Sequence, residues 1–292
     1  MPEDSNTARP SEQLQSAVVE LVDPTTCASK YQSGTHDKIT SKMVCAIGEF
    51  GQDACSGDSG GPLVKKNHGY GTLYGIVSFG VSCANKEYPG VFTRVTSYLS
   101  WIRSVTADKH PISISTSGAK ICRESPPKMA QLYPTSCGVA DKKHLRTIGG
   151  KLVNPRQHPW HFYIQKCDGK FVCDETCSAT LVSNGYLLTA TECVAYGKTA
   201  ARTVLVAISE ELTLRGEKVR TLVNLDSSEL LEVTHNNIRA RINGVGLVKL
   251  DMGRVPVAMR TPACLPVSGS FCLDAKKSIN LGMFEVLRRV LK

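Results

Sequence analysis

The hexapeptide Gly57-Asp58-Ser59-Gly60-Gly61-Pro62 constrains this chain more than any other stretch. Glycines on both sides of Ser59 allow a sharp turn and the close approach of another backbone, which larger residues forbid. A serine hydroxyl is a poor nucleophile. It reacts only when a turn presents its oxygen and nearby backbone N–H groups hold the oxyanion formed on attack at a carbonyl. The hexapeptide has the composition such a turn needs.

The chain has 292 residues, 41% of them hydrophobic and 21% charged, which predicts a folded protein of one or two domains. Its 12 cysteines fit disulfides formed in an oxidising compartment. No Cys/His spacing reads as a zinc site. The polar start MPEDSNTARP is not a signal peptide, and no stretch approaches the ~20 apolar residues of a membrane span. Secretory cysteines without a secretory signal predict that Met1 lies inside a longer protein. The formal charge of +9 is spread over short clusters such as Lys142-Lys143-His144 and Arg288-Arg289, so it reads as a solvated surface and not as a nucleic-acid site.

Residues 1–16 read as a surface loop. Val18-Val19, Leu73-Tyr74-Gly75-Ile76-Val77 and Val91-Phe92-Thr93-Arg94-Val95 read as strands. Tyr98, Trp101, Ile102 and Val105 recur at helical spacing. Residues 106–146, with Pro111, Gly118 and Pro126-Pro127, lack periodicity and read as a linker. Asn184-Gly185 between Leu181-Val182 and Tyr186-Leu187-Leu188 predicts a hairpin.

Around the hexapeptide stand Cys27, Cys45, Cys55, Cys83, Ser78-Phe79-Gly80 and Pro89-Gly90-Val91. With these, residues 11–105 closely resemble the C-terminal half of a trypsin-like (S1) serine protease domain. Cys137-Gly138 and then Arg146-Thr147-Ile148-Gly149-Gly150 resemble the activation segment that opens such a domain, and Cys264-Leu265-Pro266 matches the segment crossing to the second barrel. The resemblance implies an all-β fold, a chymotrypsin-like antiparallel double β-barrel, with its halves in permuted order: residues 1–105 as a C-terminal half, 106–146 as linker and activation-type segment, 147–292 as the N-terminal half of a second, degenerate domain. Phe284-Glu285-Val286-Leu287-Arg288-Arg289-Val290 resembles the start of the first copy, Leu14-Gln15-Ser16-Ala17-Val18-Val19. A tandem protease array, of which this chain covers the middle, would have this order. In the permuted reading the two barrels dock, bringing Glu192 to Ser59 and Thr147 to the side of Asp58; the alternative is two half-domains with exposed apolar faces, which aggregate or seek other partners.

Carried over position by position, the resemblance makes Ser59 the nucleophile and the N–H groups of Gly57 and Ser59 the oxyanion hole. Asp58 matches the residue that pairs with a new N-terminus cut after Arg146 and beginning at Thr147, where the family has a large aliphatic residue. Asp53 falls at the base of the specificity pocket, favouring Arg or Lys. Ser78, Gly80 and Gly90 fall on its walls, and Phe79 replaces the usual Trp. The implied disulfides are Cys27–Cys45, Cys55–Cys83, Cys137–Cys264 and Cys177–Cys193. Cys122, Cys167, Cys173 and Cys272 remain, with three pairings open.

Two of the family's catalytic positions depart from its pattern. Thr189-Ala190-Thr191-Glu192-Cys193 aligns with TAAHC, placing Glu192 at the catalytic His position. Asn243-Gly244-Val245-Gly246-Leu247-Val248 aligns with NDIxLxxL, placing Gly244 at the Asp position. A carboxylate, with an ordinary pKa of about 4.3, is a far weaker base near pH 7 than imidazole. His144, His158, His161 and His235 lie off the motif and read as surface or loop residues. Two functional readings follow. In one, the chain is part of a trypsin-like endopeptidase, inactive as given. In the other, it is a non-catalytic homologue that binds or regulates other proteases. Both imply peptide or protein substrates or inhibitors as partners, an extracellular setting and no cofactor.

Overall fold

The computed structural model describes residues 14–35, 37–48, 52–67, 70–83, 85–106, 137–140, 151–152, 155–167, 173–183, 185–194, 204–212, 218–225, 231–233, 244–250, 255, 260–266 and 280–286. It is mostly strand. In chain order, β1 (Gln15–Val22) leads into α1 (Pro24–Gly34), followed by β2 (Met43–Gly48), β3 (Pro62–Asn67), β4 (Tyr70–Phe79) and β5 (Gly90–Arg94). A 3-10 turn, Val95–Tyr98, runs into α2 (Leu99–Thr106). Then come β6 (Lys151–Leu152), β7 (His161–Cys167), β8 (Cys173–Ser183), β9 (Tyr186–Ala190) and the single-turn α3 (Thr191–Val194). The last strands are β10 (Val204–Leu212), β11 (Lys218–Leu225), β12 (Leu231–Val233), β13 (Val245–Lys249) and β14 (Asn280–Val286).

Two antiparallel sheets result. One runs β14-β1-β2-β5-β4-β3, with β6 also on β1; β14 lies alongside β3 as well, so this sheet curls round. The other runs β11-β10-β7-β8-β9-β13-β12. The architecture is a chymotrypsin-like double β-barrel. The β8–β9 hairpin turns at Gly185, whose φ of 94° is the left-handed conformation expected of the Asn-Gly pair. β1 begins at Gln15, three residues before Val18 and inside the stretch read as a surface loop, because backbone pairing with β14 and β6 extends past the apolar residues.

One apolar cluster is shared by both sheets. Leu73, Ile76, Val95 and Ile102 pack with Trp160, Leu181, Leu187, Val248 and Val255. A Cβ on Gly71 would sit 2.4 Å from the Trp160 ring, so β4 approaches the second sheet as closely as glycine permits. Backbone bonds run along the same seam: Leu73 N to Cys264 O at 2.8 Å, Cys264 N to Gly71 O at 2.9 Å and Gly71 N to Gly138 O at 2.8 Å. Burying each large apolar side chain is worth about 1.5–3 kcal/mol. Exposing Leu73, Ile76, Trp160 and Leu181 together would therefore consume about the whole net stability of a domain, about 5–15 kcal/mol.

α1 is an element the sequence reading lacks. Asp23 caps it, its Oδ1 accepting from the N–H groups of Thr25 and Thr26 at 3.0 Å each, and Pro24 fits the first turn. The helix buries only Cys27 and Tyr31. Among the described residues, no helix is long and apolar enough to cross a membrane.

Candidate active site

The Ser59 turn leads into β3 and is fixed from within. Asp58 N donates to Cys55 O (3.0 Å), Cys55 N donates to Asp58 Oδ2 (2.6 Å), and Gly61 N donates to Asp58 O (2.8 Å). Asp58 is buried. Two bonds hold the turn to β4: Gly60 N to Val77 O (2.9 Å) and Val77 N to Gly61 O (2.8 Å). Gly57 (φ 98°) and Gly60 (φ 82°) both adopt the left-handed region. Nothing lies within 4 Å of a Cβ built on Gly57, so the turn is open at that point, while Ser59 itself is half-buried.

Beside Ser59 opens a pocket of about 320 Å³. Asp53, Ser78, Gly80 and Gly90 all line it, as does Ser59. Asp53 Oδ1 accepts from Ala54 N at 2.8 Å. The same oxygen would lie 3.1 Å from a Cβ built on Gly90, so a side chain there would crowd the carboxylate. At Gly80 the nearest atoms to an added Cβ are 3.8 and 3.9 Å away, so that wall leaves room. The Cys55–Cys83 disulfide and Phe92, Ala54 and Ser82 also line it.

Behind the pocket stands Tyr31, which the sequence reading missed. It is fully buried on α1, and its hydroxyl donates to Pro89 O at 2.7 Å, next to Gly90. Its ring meets Phe79 and Tyr88 edge-on, with centroids 5.7 and 5.6 Å away. Burial, and then the negative charges of Asp53 and Asp37, push its ionisation far above the ordinary phenol range. No local pattern marks Tyr31, since its partners Phe79, Tyr88 and Pro89 lie 48, 57 and 58 positions further along the chain.

The second sheet supplies the floor. Ser178 N donates to Ser59 O at 2.8 Å, and Thr189 Oγ1 donates to Ser178 O at 2.7 Å. Cys193 Sγ lies 3.5 Å from Ser59 O. Thr191 N donates to Gly244 O at 3.4 Å. Of the neighbours of half-buried Glu192 on α3, one therefore bonds Gly244 and the other touches Ser59. The segments carrying Ser59, Glu192 and Gly244 meet at one place. Arg146 and Thr147 lie outside the described residues.

Two histidines differ from expectation. His158 and His161 are buried, not surface residues, and His161 belongs to a strand. His161 Nε2 lies 3.4 Å from Ser178 Oγ, and Lys66 Nζ donates to His158 Nε2 at 3.3 Å. Burial lowers the pKa of His161 to about 3. Burial, then the charges of Lys66 and His161, hold His158 well below the ordinary imidazole range. Both are neutral in the folded protein near pH 7. His144 and His235 lie outside the described residues.

Cys27–Cys45, Cys55–Cys83, Cys137–Cys264 and Cys177–Cys193 are all formed. Cys167 and Cys173 face each other in the β7–β8 backbone register, and Cys122 and Cys272 lie outside the described residues.

A double β-barrel with a glycine-bounded serine turn beside an acidic pocket defines the class of chymotrypsin-like serine proteases and their homologues. The sequence model of the trypsin family matches residues 1–102 and 147–277, and the chain belongs to that family. It is 50% identical over 95 residues to urokinase-type plasminogen activator of Gallus gallus, covering 32% of this chain and 21% of that protein. It is 34% identical over 217 residues to transmembrane protease serine 9 of Rattus norvegicus, covering 64% of this chain and 20% of that protein. The chain thus spans about a fifth of the length of these relatives.

Proposed function

We infer that this chain is a trypsin-family module that binds Arg or Lys side chains of extracellular proteins through Asp53 and does not hydrolyse the adjoining peptide bond. The observation that supports this reading is a formed pocket lined by Asp53 and Ser59, together with the nearness to Ser59 of Cys193, the residue that follows Glu192 in the chain. Attack by Ser59 needs a base to take its proton and a third group to orient that base. Imidazole does this by accepting on one nitrogen and donating from the other. Glu192 offers no N–H, and Gly244 offers no carboxylate. Binding a basic side chain needs neither. The four disulfides support an oxidising, extracellular setting.

Fluorescence titration with p-aminobenzamidine, together with an Arg-anilide assay, tests the reading. The amidine should bind, Asp53→Ser should weaken it at least tenfold, and no turnover should depend on Ser59. Equal amidine binding by both forms, or turnover abolished by Ser59→Ala, would overturn it. A second reading draws on the fraction of the relatives that the chain spans. In a longer tandem protein, the half bearing Ser59 could pair with another half that carries His and Asp, making an Arg/Lys-directed endopeptidase. The adjoining sequence decides between the two.

A further inference from the structure

Ser178 is a point at which the second sheet grips the serine turn. Its N–H donates to Ser59 O at 2.8 Å, its carbonyl accepts from Thr189 Oγ1 at 2.7 Å, and a Cβ on Gly61 would stand 3.2 Å from its own Cβ. His161, on β7, places Nε2 3.4 Å from Ser178 Oγ. His161 N donates to His158 O at 2.9 Å, which closes residues 158–161 into a turn. His158 Nε2 in turn accepts from Lys66 Nζ at 3.3 Å. In the β3–β4 register Lys66 stands opposite Gly71, where β4 meets the Trp160 ring. One chain of contacts thus runs from Lys66 on the first sheet through His158, His161 and Ser178 to Ser59.

Both rings fit this chain only when neutral. A lysine ammonium is purely a donor, so His158 Nε2 must offer a lone pair. His158 and His161 are buried, at 0% and 3% exposure. The groups around them add little negative charge. β3, β4 and residues 155–165 contain no Asp or Glu, and β3 contributes the Lys66 cation. Tyr163 meets the His161 ring edge-on, with centroids 5.1 Å apart. β8 carries Asp174 and Glu175, but Glu175 faces Lys166, five positions along β8 from the Thr180 that faces His161. β10 pairs with β7 through Val204–Ile208, and its Glu210 and Glu211 lie beyond. In the serine turn, buried Asp58 directs Oδ2 to Cys55 N. A proton on either ring therefore adds a cation to a buried space beside Lys66, and on His158 Nε2 it also removes the acceptor that Lys66 uses.

We propose that Lys66, His158, His161 and Ser178 form an acid-operated latch on the serine turn: protonating the histidines releases Ser178 from Ser59 while the rest of the seam between the sheets stays closed. The turn then keeps its bonds to β4, Gly60 N to Val77 O and Val77 N to Gly61 O, and loses its support from the second sheet. Local opening of this kind costs less than parting the shared apolar cluster, because it leaves Leu73, Ile76 and Leu181 packed. The latch lies beneath the serine turn and does not depend on what the pocket binds.

Amide hydrogen exchange on the full chain, resolved to single residues by NMR at pH 7.5 and 5.5, tests the latch. The reporters are Ser178 N and His161 N; the references are Leu73 N and Cys264 N, whose bonds lie elsewhere along the seam. Corrected for the intrinsic rate, protection of the reporters should fall about tenfold for each ring protonated on opening. A free imidazole of pKa about 6.5 goes from about one-tenth to about nine-tenths protonated over that span. At pH 5.5 the reporters should be protected at least tenfold less than the references. Equal protection of the two sets at pH 5.5 would mean that acid acts only through global unfolding, and would overturn the proposal. So would reporter protection that does not change with pH. His158→Gln and His161→Gln should each remove about tenfold of the fall at Ser178, since a glutamine keeps an acceptor and takes no proton. A fall of full size in both variants would assign it to other groups and overturn the latch. If neither variant is soluble, the contrast between reporters and references in the unaltered chain decides.

Discussion

Ser178 donates its backbone N–H to the carbonyl oxygen of Ser59 at 2.8 Å, and this bond ties the serine turn to the second sheet. Ser59 stands in one barrel and Ser178 in the other, so the turn's shape depends on both. Gly60 lies between them. A Cβ there would come within 2.1 Å of Thr189 Oγ1 and 2.3 Å of Ser178 O, and the φ of 82° disfavours any side chain.

Gly60→Ala should therefore destabilise the protein by about 2–5 kcal/mol, the left-handed backbone costing about 1–2 and the overpacking about 1–3. Urea unfolding followed by tryptophan fluorescence measures it. Trp101 and Trp160, on α2 and at the head of β7, both pack in the shared cluster, so a single transition should move to lower urea. An unchanged midpoint would mean that the turn does not rest on Ser178 and Thr189.

A second expectation concerns acid. His158 and His161 have folded-state pKa values below the ordinary 6.5, so the unfolded chain binds protons more readily. Their contribution to stability is complete above about pH 6.5 and is lost as pH falls from there towards about 3, the value for His161. Each histidine contributes a slope of up to about 1.4 kcal/mol per pH unit across that window. Unfolding midpoints at pH 7.5, 6 and 5 should fall progressively, and His161→Gln should remove about one proton from the slope. A midpoint that does not change between pH 7.5 and 5 contradicts the burial of both rings.

The four disulfides and the pocket residues were legible because each rests on a short motif in a family framework: the serine turn, Ser78-Phe79-Gly80, and cysteines at family positions. What stayed illegible is non-local. α1 buries one narrow edge, Cys27 and Tyr31, so it has no apolar stripe for periodicity to reveal. Its Asp23-Pro24 start was the available signal. His161 resembles any polar residue of a loop until β7 pairs with β8, where it stands opposite Thr180; its burial comes from sheet packing and not from its neighbours in the chain. The end of β14 was legible through the likeness of Phe284–Val290 to Leu14–Val19, but its pairing with β1, near the opposite end of the chain, was not.

The pocket gives a third expectation. A Cβ on Gly90 would meet Asp53 Oδ1 at 3.1 Å and the Phe92 ring at 3.4 Å, both contacts that small shifts relieve. Gly90→Val should thus fold, losing about 1–3 kcal/mol to crowding. Its branched methyls would occupy the cavity beside the Asp53 carboxylate. Amidine binding should fall at least tenfold even though the charge of Asp53 is retained. Undiminished binding would place the amidine elsewhere.

The last expectation joins the sequence to the seam between the sheets. Lys142, Lys143 and Arg146 make residues 141–150 attractive to trypsin, and their polar composition suits an exposed cleavage site. Upstream, Cys137 is bonded to Cys264, and Gly138 is pinned on both sides, its N–H to Pro262 O at 2.7 Å and its carbonyl accepting from Gly71 N at 2.8 Å. Val139 bridges to Tyr70. Cutting after Arg146 would leave residues 137–140 held by this disulfide and these backbone bonds. Limited trypsin digestion should give one band on a non-reducing gel and two after reduction, and the digested protein should keep the unfolding midpoint of the intact chain to within about 0.5 kcal/mol, as expected for a change away from packed elements. Fragments that separate without reductant would show that the two pieces are not joined through Cys137 and Cys264 once the chain is cut.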